Sequence, residues 1–265
     1  MNSGGTDTVT YFNSLIGREI NGCYRIEEKI GVGGMGAVFR AINLKQHNTV
    51  AVKVISPHLA ANQIFIKRFQ REARVGWALS HPNIIKVYEY GETEVGLLFA
   101  VMEFIEGETL GNYIDYSAPL TISRCLQILV PLCDALATAH ARNILHRDLK
   151  PANVLLSREN DCEVIKLGDF GLVKLLQPDD EISQGSNLTA IGETFGTPHY
   201  MSPEQLMGHA LAPTTDIYSL GVITYEMLTG RVPIETNDRR EFLTLKLRRD
   251  LAPPSTRFPF LPVAL

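Results

Sequence analysis

Thirteen residues, ILHRDLKPANVLL from Ile144 to Leu156, constrain this chain more than any others. They set an acid, a base and an amide at fixed offsets: Asp148, Lys150 and Asn153. Apolar residues anchor both ends, Ile144 and Leu145 before, Val154 to Leu156 after. Pro151 fixes its own φ and restricts Lys150 to extended backbone. The pattern predicts a loop held rigidly between two buried segments, with polar side chains projecting to a common point.

The chain has 265 residues, 45% of them hydrophobic, enough for one large domain or two lobes. With 25 basic and 29 acidic residues its net charge is −4, which argues against a nucleic-acid or acidic-membrane partner. Cys23, Cys125, Cys133 and Cys162 have no metal-ligand spacing. No disulfide framework is expected, and a reducing, cytoplasmic setting is. Cys125 and Cys133 fall in a helical pattern and are expected in the core. The N-terminus has neither a basic n-region nor an apolar h-region. The longest apolar run, Gly96 to Met102, is far short of the ~20 residues a membrane span needs.

Residues 1–20 are polar and read as a flexible leader. From Tyr24, the segments YRIEEKIG, AVFRAIN and TVAVKVI predict three antiparallel strands. The turn joining the first two is GVGGMG, Gly31 to Gly36, with Val38 two residues on. Alone, these glycines suit a plain hairpin as well as a phosphate cradle. A dinucleotide fingerprint would require a helix next, and here a strand follows. Lys53, in AVKV, reads either as a snorkelling surface lysine or as a phosphate ligand. The segment NQIFIKRFQREARVGWALS predicts a helix carrying Glu72, weakened by Gly76 by ~1 kcal/mol and ended by His81-Pro82. Ile84 to Tyr88 and Gly96 to Met102 predict two more strands.

The longest helical signal is TISRCLQILVPLCDALATAHARN, entered at Thr121 or Pro119. Its expected buried face is Ile122, Leu126, Leu129, Cys133, Leu136, Ala137 and His140, with a kink at Pro131. His140 reads as a packing residue. After the loop come two short strands, the second leading into GDFG, where Asp169 is a hard oxygen ligand. The stretch from there to Glu204 is too long for an ordinary connection and reads as functional. TTDIYSLGVITYEMLTG predicts a buried helix capped by Thr214 or Thr215 and closed by Gly230, with Asp216 a buried acid near its start.

Taken together, GVGGMGAVFRA, AVKV, HRDLKPANVLL, DFG and GTPHYMSPEQ make residues 20 to 265 resemble protein kinases, most closely the bacterial Hanks-type serine/threonine kinases. The resemblance implies an α+β, two-lobed fold. An N-lobe over 21–105 would hold antiparallel strands and one helix. A mainly helical C-lobe over 106–265 would lack its last helices. ATP would bind between them with Mg²⁺. Ile30, Gly31, Val32, Gly33, Gly34, Met35, Gly36 and Val38 would cover the nucleotide. Lys53, held by Glu72, would bind its phosphates. Ala51, Met102 and Leu155 would complete the site, and the backbone from Glu103 to Ile105 would bond the adenine.

By the same resemblance Asp148 is the base, Lys150 stabilises the transferring phosphoryl group, and Asn153 and Asp169 hold Mg²⁺. His146 is structural, and Asp216 supports the loop backbone. Arg147 implies control by phosphorylation, foremost at Thr189 or Thr194. Thr197 would face the substrate. The implied activity is γ-phosphoryl transfer to Ser/Thr hydroxyls of protein substrates, with a homodimer for autophosphorylation among the arrangements implied. Glu204, whose partner in the family is a later arginine, is expected as an unpaired buried carboxylate. The second reading is a truncated or impaired kinase fragment acting as a nucleotide-binding scaffold.

Overall fold

The structure is a computed structural model that describes residues 10–33, 35–60, 65–66, 69, 79–170, 198–236, 238–248, 251–258 and 261. They fall into two compact units, residues 10–80 with Ile85–Glu106, and His81–Ile84 with the residues from Gly107 onward.

The first unit is a six-stranded antiparallel sheet. Its strands are β1 (Glu19–Ile20), β2 (Tyr24–Gly33), β3 (Gly36–Asn43), β4 (Asn48–Ile55), β5 (Val87–Glu92) and β6 (Leu98–Glu103), in the order β1-β2-β3-β4-β6-β5. A short helix, α1 (Pro57–Ala60), follows β4. Because side chains alternate along a strand, Phe39, Ala41, Val52, Val54, Phe99 and Val101 all fall on one face and are fully buried. Each of the valines and phenylalanines among them contributes ~1.5–3 kcal/mol on burial.

That face is closed from the N-terminal side. Phe12 is 1% exposed, meets the Phe39 ring edge-on at 6.3 Å, and shares the cluster with Leu15. Residues 10–20 were expected in the leader and instead belong to this unit, as a helical turn at 10–13 followed by β1. The polar composition of the first twenty residues masks Phe12 and Leu15, which one helical turn brings to the same side. Residues 1–9 lie outside the described residues. The opposite face carries Ala51, Ala100 and Met102, joined by Val38, Val87 and Tyr90. β5 starts at Val87 because Ile84 is drawn away to a bridge with Leu167.

The second unit has a three-stranded antiparallel sheet, β7 (Gly107–Thr109), β8 (Val154–Glu159) and β9 (Cys162–Leu167). Asn160 and Asp161, at φ 49° and 63°, make the tight turn from β8 to β9. Its helices are α2 (Leu110–Ser117), α3 (Ile122–His140), α4 (Pro203–Met207), α5 (Pro213–Thr229), α6 (Arg239–Arg248) and α7 (Pro254–Arg257).

α3 starts at Thr121, whose hydroxyl accepts from Arg124 N at 3.2 Å, and runs on through Pro131. Its buried face is Cys125, Ile128, Leu132, Ala135, Leu136 and Ala139. The expected face was largely the other one: Ile122, Leu126, Cys133 and Ala137 are exposed. The helix is apolar on two sides, so periodicity alone left the choice open. The small residues Ala135 and Ala139 decide it, since they let α3 pack on α5 and β9. α3 is also the one helix among the described residues long and apolar enough to cross a bilayer. Its packed face is that of a core helix. α5 is capped at Ala212, with Thr215 Oγ1 accepting from Ala212 N at 3.4 Å, and closes at Gly230 with φ 71°.

Candidate active site

The loop before β8 hangs from one carboxylate. Asp216, 1% exposed on the first turn of α5, accepts from His146 N at 2.9 Å and Arg147 N at 2.8 Å. His140 Nε2, at the end of α3, lies 2.7 Å from the same carboxylate. Arg147 sits at φ 67°. The left-handed backbone costs a side-chain-bearing residue about 1–3 kcal/mol. It lets consecutive amides converge on one anion. Gln205 Nε2 holds the other side of that turn, donating to Arg147 O at 2.7 Å.

His146 is fully buried, and its ring meets Phe170 at 4.7 Å. Its Nδ1 accepts from Asp148 N at 3.3 Å, so Nε2 carries the proton and donates to Gly168 O at 2.8 Å. His146 therefore ties the loop to the Gly168–Phe170 turn, in line with a structural role.

Asp148, Lys150 and Asn153 come together as their spacing predicts. Lys150 Nζ donates to Asp148 Oδ2 at 2.7 Å. Asn153 Nδ2 donates to Asp148 O at 2.8 Å and lies 3.3 Å from Oδ2. The turn Pro151–Asn153 closes through Asn153 N to Lys150 O at 2.9 Å. Asp148 and Lys150 side chains are 28% and 36% exposed. At that exposure the pair adds only ~0–1 kcal/mol to stability. Asp169 is brought to the loop by the β8–β9 hairpin, where Val154 pairs with Leu167 and Gly168 N donates to Asn153 O at 2.9 Å. It also has left-handed backbone, φ 60°.

Among the described residues no cluster of three or more His, Cys, Asp or Glu has metal-ligating geometry. Asn153 and Asp169 offer an amide oxygen and a carboxylate, the hard donors Mg²⁺ takes when phosphate oxygens and water complete its shell. The amide nitrogen of Asn153 is spent on Asp148, which leaves Oδ1 as the ligating atom. The donor set fits that ion.

Downstream, the segment 198–205 is bound to α5. Tyr200 OH donates to Glu226 Oε2 at 2.7 Å, and Ser219 Oγ donates to Tyr200 O at 2.7 Å. Burial pushes the Glu226 carboxyl above its usual range, helped by the charge of Asp115 and opposed by the Tyr200 hydrogen bond. Ser202 and Gln205 form a capping box at the start of α4. Glu204 is half-buried and accepts from Thr215 Oγ1 at 2.9 Å. The expectation of an unpaired buried carboxylate is thus corrected: a hydroxyl eleven residues on supplies a donor.

The first unit carries the other named residues. The β2–β3 hairpin pairs Gly33 with Gly36. A side chain on Gly36, at φ 153°, would put its Cβ 2.0 Å from Val54 O, so only glycine fits there. At Gly31 and Gly33 a Cβ would meet nothing within 4 Å, so these two leave open space. Ile30 and Val32 are 47% and 55% exposed on the same hairpin. Val38, Ala51 and Met102 join one apolar cluster, and Lys53, buried on β4, has Val38 and Ala100 as its strand neighbours. Glu103 N donates to Lys86 O at 2.8 Å, so any base contact at Glu103 falls to its carbonyl. Leu155 is half-buried on β8 in the second unit. Gly34, Glu72, Thr189, Thr194 and Thr197 lie outside the described residues.

Two supports went unread in the sequence. His140 was taken for packing and instead meets Asp216. Gln205 is signalled by the S-x-x-Q capping pattern, but its bond to Arg147 joins residues 58 apart.

Residues 24–256 match the family model described as protein kinase domain. The chain is 39% identical over 248 residues to the serine/threonine-protein kinase pkn3 of Myxococcus xanthus, covering 93% of this chain and 45% of that protein. It is 38% identical over 221 residues to PrkC of Bacillus subtilis, covering 83% and 32%. It thus spans less than half the length of these curated relatives. The crystal structure of the Mycobacterium tuberculosis PknI kinase domain superposes with a TM-score of 0.65 at 30% identity, covering 91% of this chain and 93% of that one. The geometry of the loop around Asp148 and these likenesses agree: the chain belongs to the protein kinase domain family.

Proposed function

We propose that the chain is a serine/threonine protein kinase that transfers the γ-phosphoryl group of ATP to protein hydroxyls. The observation that carries this is the convergence of Asp148, Lys150 and Asn153 on a loop whose backbone is fixed by Asp216. Asp148 accepts or orients the proton of the attacking hydroxyl. Lys150, whose ammonium lies on Asp148, neutralises charge growing on the phosphoryl oxygens. Asn153 and Asp169 would hold Mg²⁺. When bound, the ion screens the phosphate charge. Lys53 and the glycine-rich hairpin would bind the phosphates, with Glu72 the expected partner of the lysine. Val38, Ala51 and Met102 would receive the base, with the backbone of Glu103 and Ile105.

Lys150 within DLKPAN favours Ser/Thr acceptors, and Thr197 would stand beside them. Thr189 and Thr194 are the proposed regulatory phosphosites, modified within a homodimer. A cytoplasmic setting supplies the ATP. The test is phosphate incorporation from labelled Mg-ATP by the chain and by Asp148→Asn. Incorporation in the first and a loss of a hundredfold or more in the second, the scale of a missing acid–base group (~10²–10⁴), is expected. Equal incorporation in both would sink the assignment.

A further inference from the structure

Lys246 on α6 is 1% exposed, the one charged residue among the largest fully buried side chains described. A buried ammonium is costly unless its protons are used. Its Nζ donates to His199 O, in the segment that precedes α4. It also lies 4.9 Å from the Tyr218 ring centroid and 5.5 Å from that of Phe242. Phe242 is one turn earlier on α6 and meets the His199 ring edge-on at 5.4 Å. Residues four apart on a helix share a face, so α6 grips one residue twice, ring on ring and ammonium on carbonyl. Among the described residues His199 Nδ1, buried, has no hydrogen-bond partner, so none of them holds the imidazole at that atom. The next residue, Tyr200, is held by α5 through Ser219 and Glu226. The segment 198–200 is therefore slung between two helices, and Lys246 is the polar tie on the α6 side.

We propose that Lys246 is a positioning residue for protein-substrate binding, fixing the backbone that follows Thr197. The inference rests on the kinase reading, under which that stretch faces the acceptor protein. A leucine or methionine would fill the same apolar space with no donor. Lysine there supplies the one thing a mainly apolar contact lacks, a grip on a carbonyl.

Burial lowers Lys246 to about 8. The titratable groups facing it are His199 and Tyr218, with Glu235 acting on His199. Below that pH the ammonium makes a charge-assisted bond, and above it a weaker neutral one.

The experiment is steady-state kinetics on a Ser/Thr peptide with wild type, Lys246→Met and Lys246→Arg. Lys246→Met raises the peptide KM about tenfold, the loss of one charge-assisted hydrogen bond. Its kcat and its KM for ATP stay within about twofold, and Lys246→Arg recovers part of the loss. Wild-type peptide KM rises between pH 7 and 9, while that of Lys246→Met stays high and flat. Amide exchange over 199–202 quickens in Lys246→Met. An unchanged peptide KM with unchanged exchange overturns the inference, as does a rise in ATP KM equal to that for peptide. If Lys246→Met does not fold, a flat wild-type peptide KM over that pH range overturns it. Failure of the kinase reading looks different: the wild type then transfers no phosphate to any acceptor, whereas the exchange comparison still reports on the Lys246 tie.

Discussion

Replacing Asp216 tests how the loop is held. In Asp216→Ala the amides of His146 and Arg147 lose their acceptor, and His140 loses its partner. An orphaned buried amide costs ~1–3 kcal/mol. Removing one member of a buried charged network costs ~3–5 kcal/mol. Relief of the strain at Arg147 does not offset this, because Gln205 still pins that residue's own carbonyl. The expected loss is about 3–5 kcal/mol. For a chain of this size each kcal/mol is worth ~2–4 °C in Tm, so a fall of roughly 6–20 °C follows. Asp216→Asn keeps one acceptor oxygen but turns a donor toward an amide, and should lose about half as much. His140→Leu removes a single contact and should cost ~1 kcal/mol. Urea unfolding followed by circular dichroism measures all three. If Asp216→Ala lies within ~1 kcal/mol of wild type, or if the order Ala, Asn, His140→Leu is reversed, the carboxylate does not carry the loop.

Three further outcomes are expected. Glu226→Gln keeps a partner for Tyr200 and removes a buried charge. The raised Glu226 carboxyl is penalised only when ionised, so its contribution is fullest below its unfolded value and is lost as pH rises through the folded one. Calorimetry should therefore show the variant more stable than wild type at pH 7, with the gap closing by pH 4. Gly36→Ala meets Val54 O and should destabilise by at least ~1–3 kcal/mol, whereas Gly33→Ala, with open space, should leave Tm nearly unchanged. Phe12→Ala empties a core position and should cost ~3–5 kcal/mol in a urea melt; a loss under ~1 kcal/mol would place residues 10–16 outside the fold.

What the sequence revealed follows the range of each interaction. Asp148, Lys150 and Asn153 were legible because their bonds run over two to five residues, a distance that Pro151 and the apolar flanks control locally. The strands were legible from alternation, and β2 to β4 fall within a residue or a few of their expected bounds. The face of α3 was not, because a helix apolar on two sides is decided by its neighbours, here α5 and β9. The packing of Phe12 on Phe39 was hidden by the polar residues around it. Glu204 was expected to depend on a distant arginine, and Thr215, in plain view on α5, gave no sign that its hydroxyl would turn back.

The reach of Asp216 also bears on when the loop takes shape. It meets the amides of His146 and Arg147 across 70 and 69 residues of chain. Closing a contact that long is entropically slow compared with zipping the adjacent β8–β9 hairpin. During synthesis the loop leaves the ribosome well before its anchor does. The left-handed turn at Arg147 lacks its carboxylate anchor until α5 has formed and packed. Pulse-labelled exchange should find these two amides protected together with α5, and after the hairpin. The segment of sequence that is easiest to recognise is then among the last to acquire its native backbone.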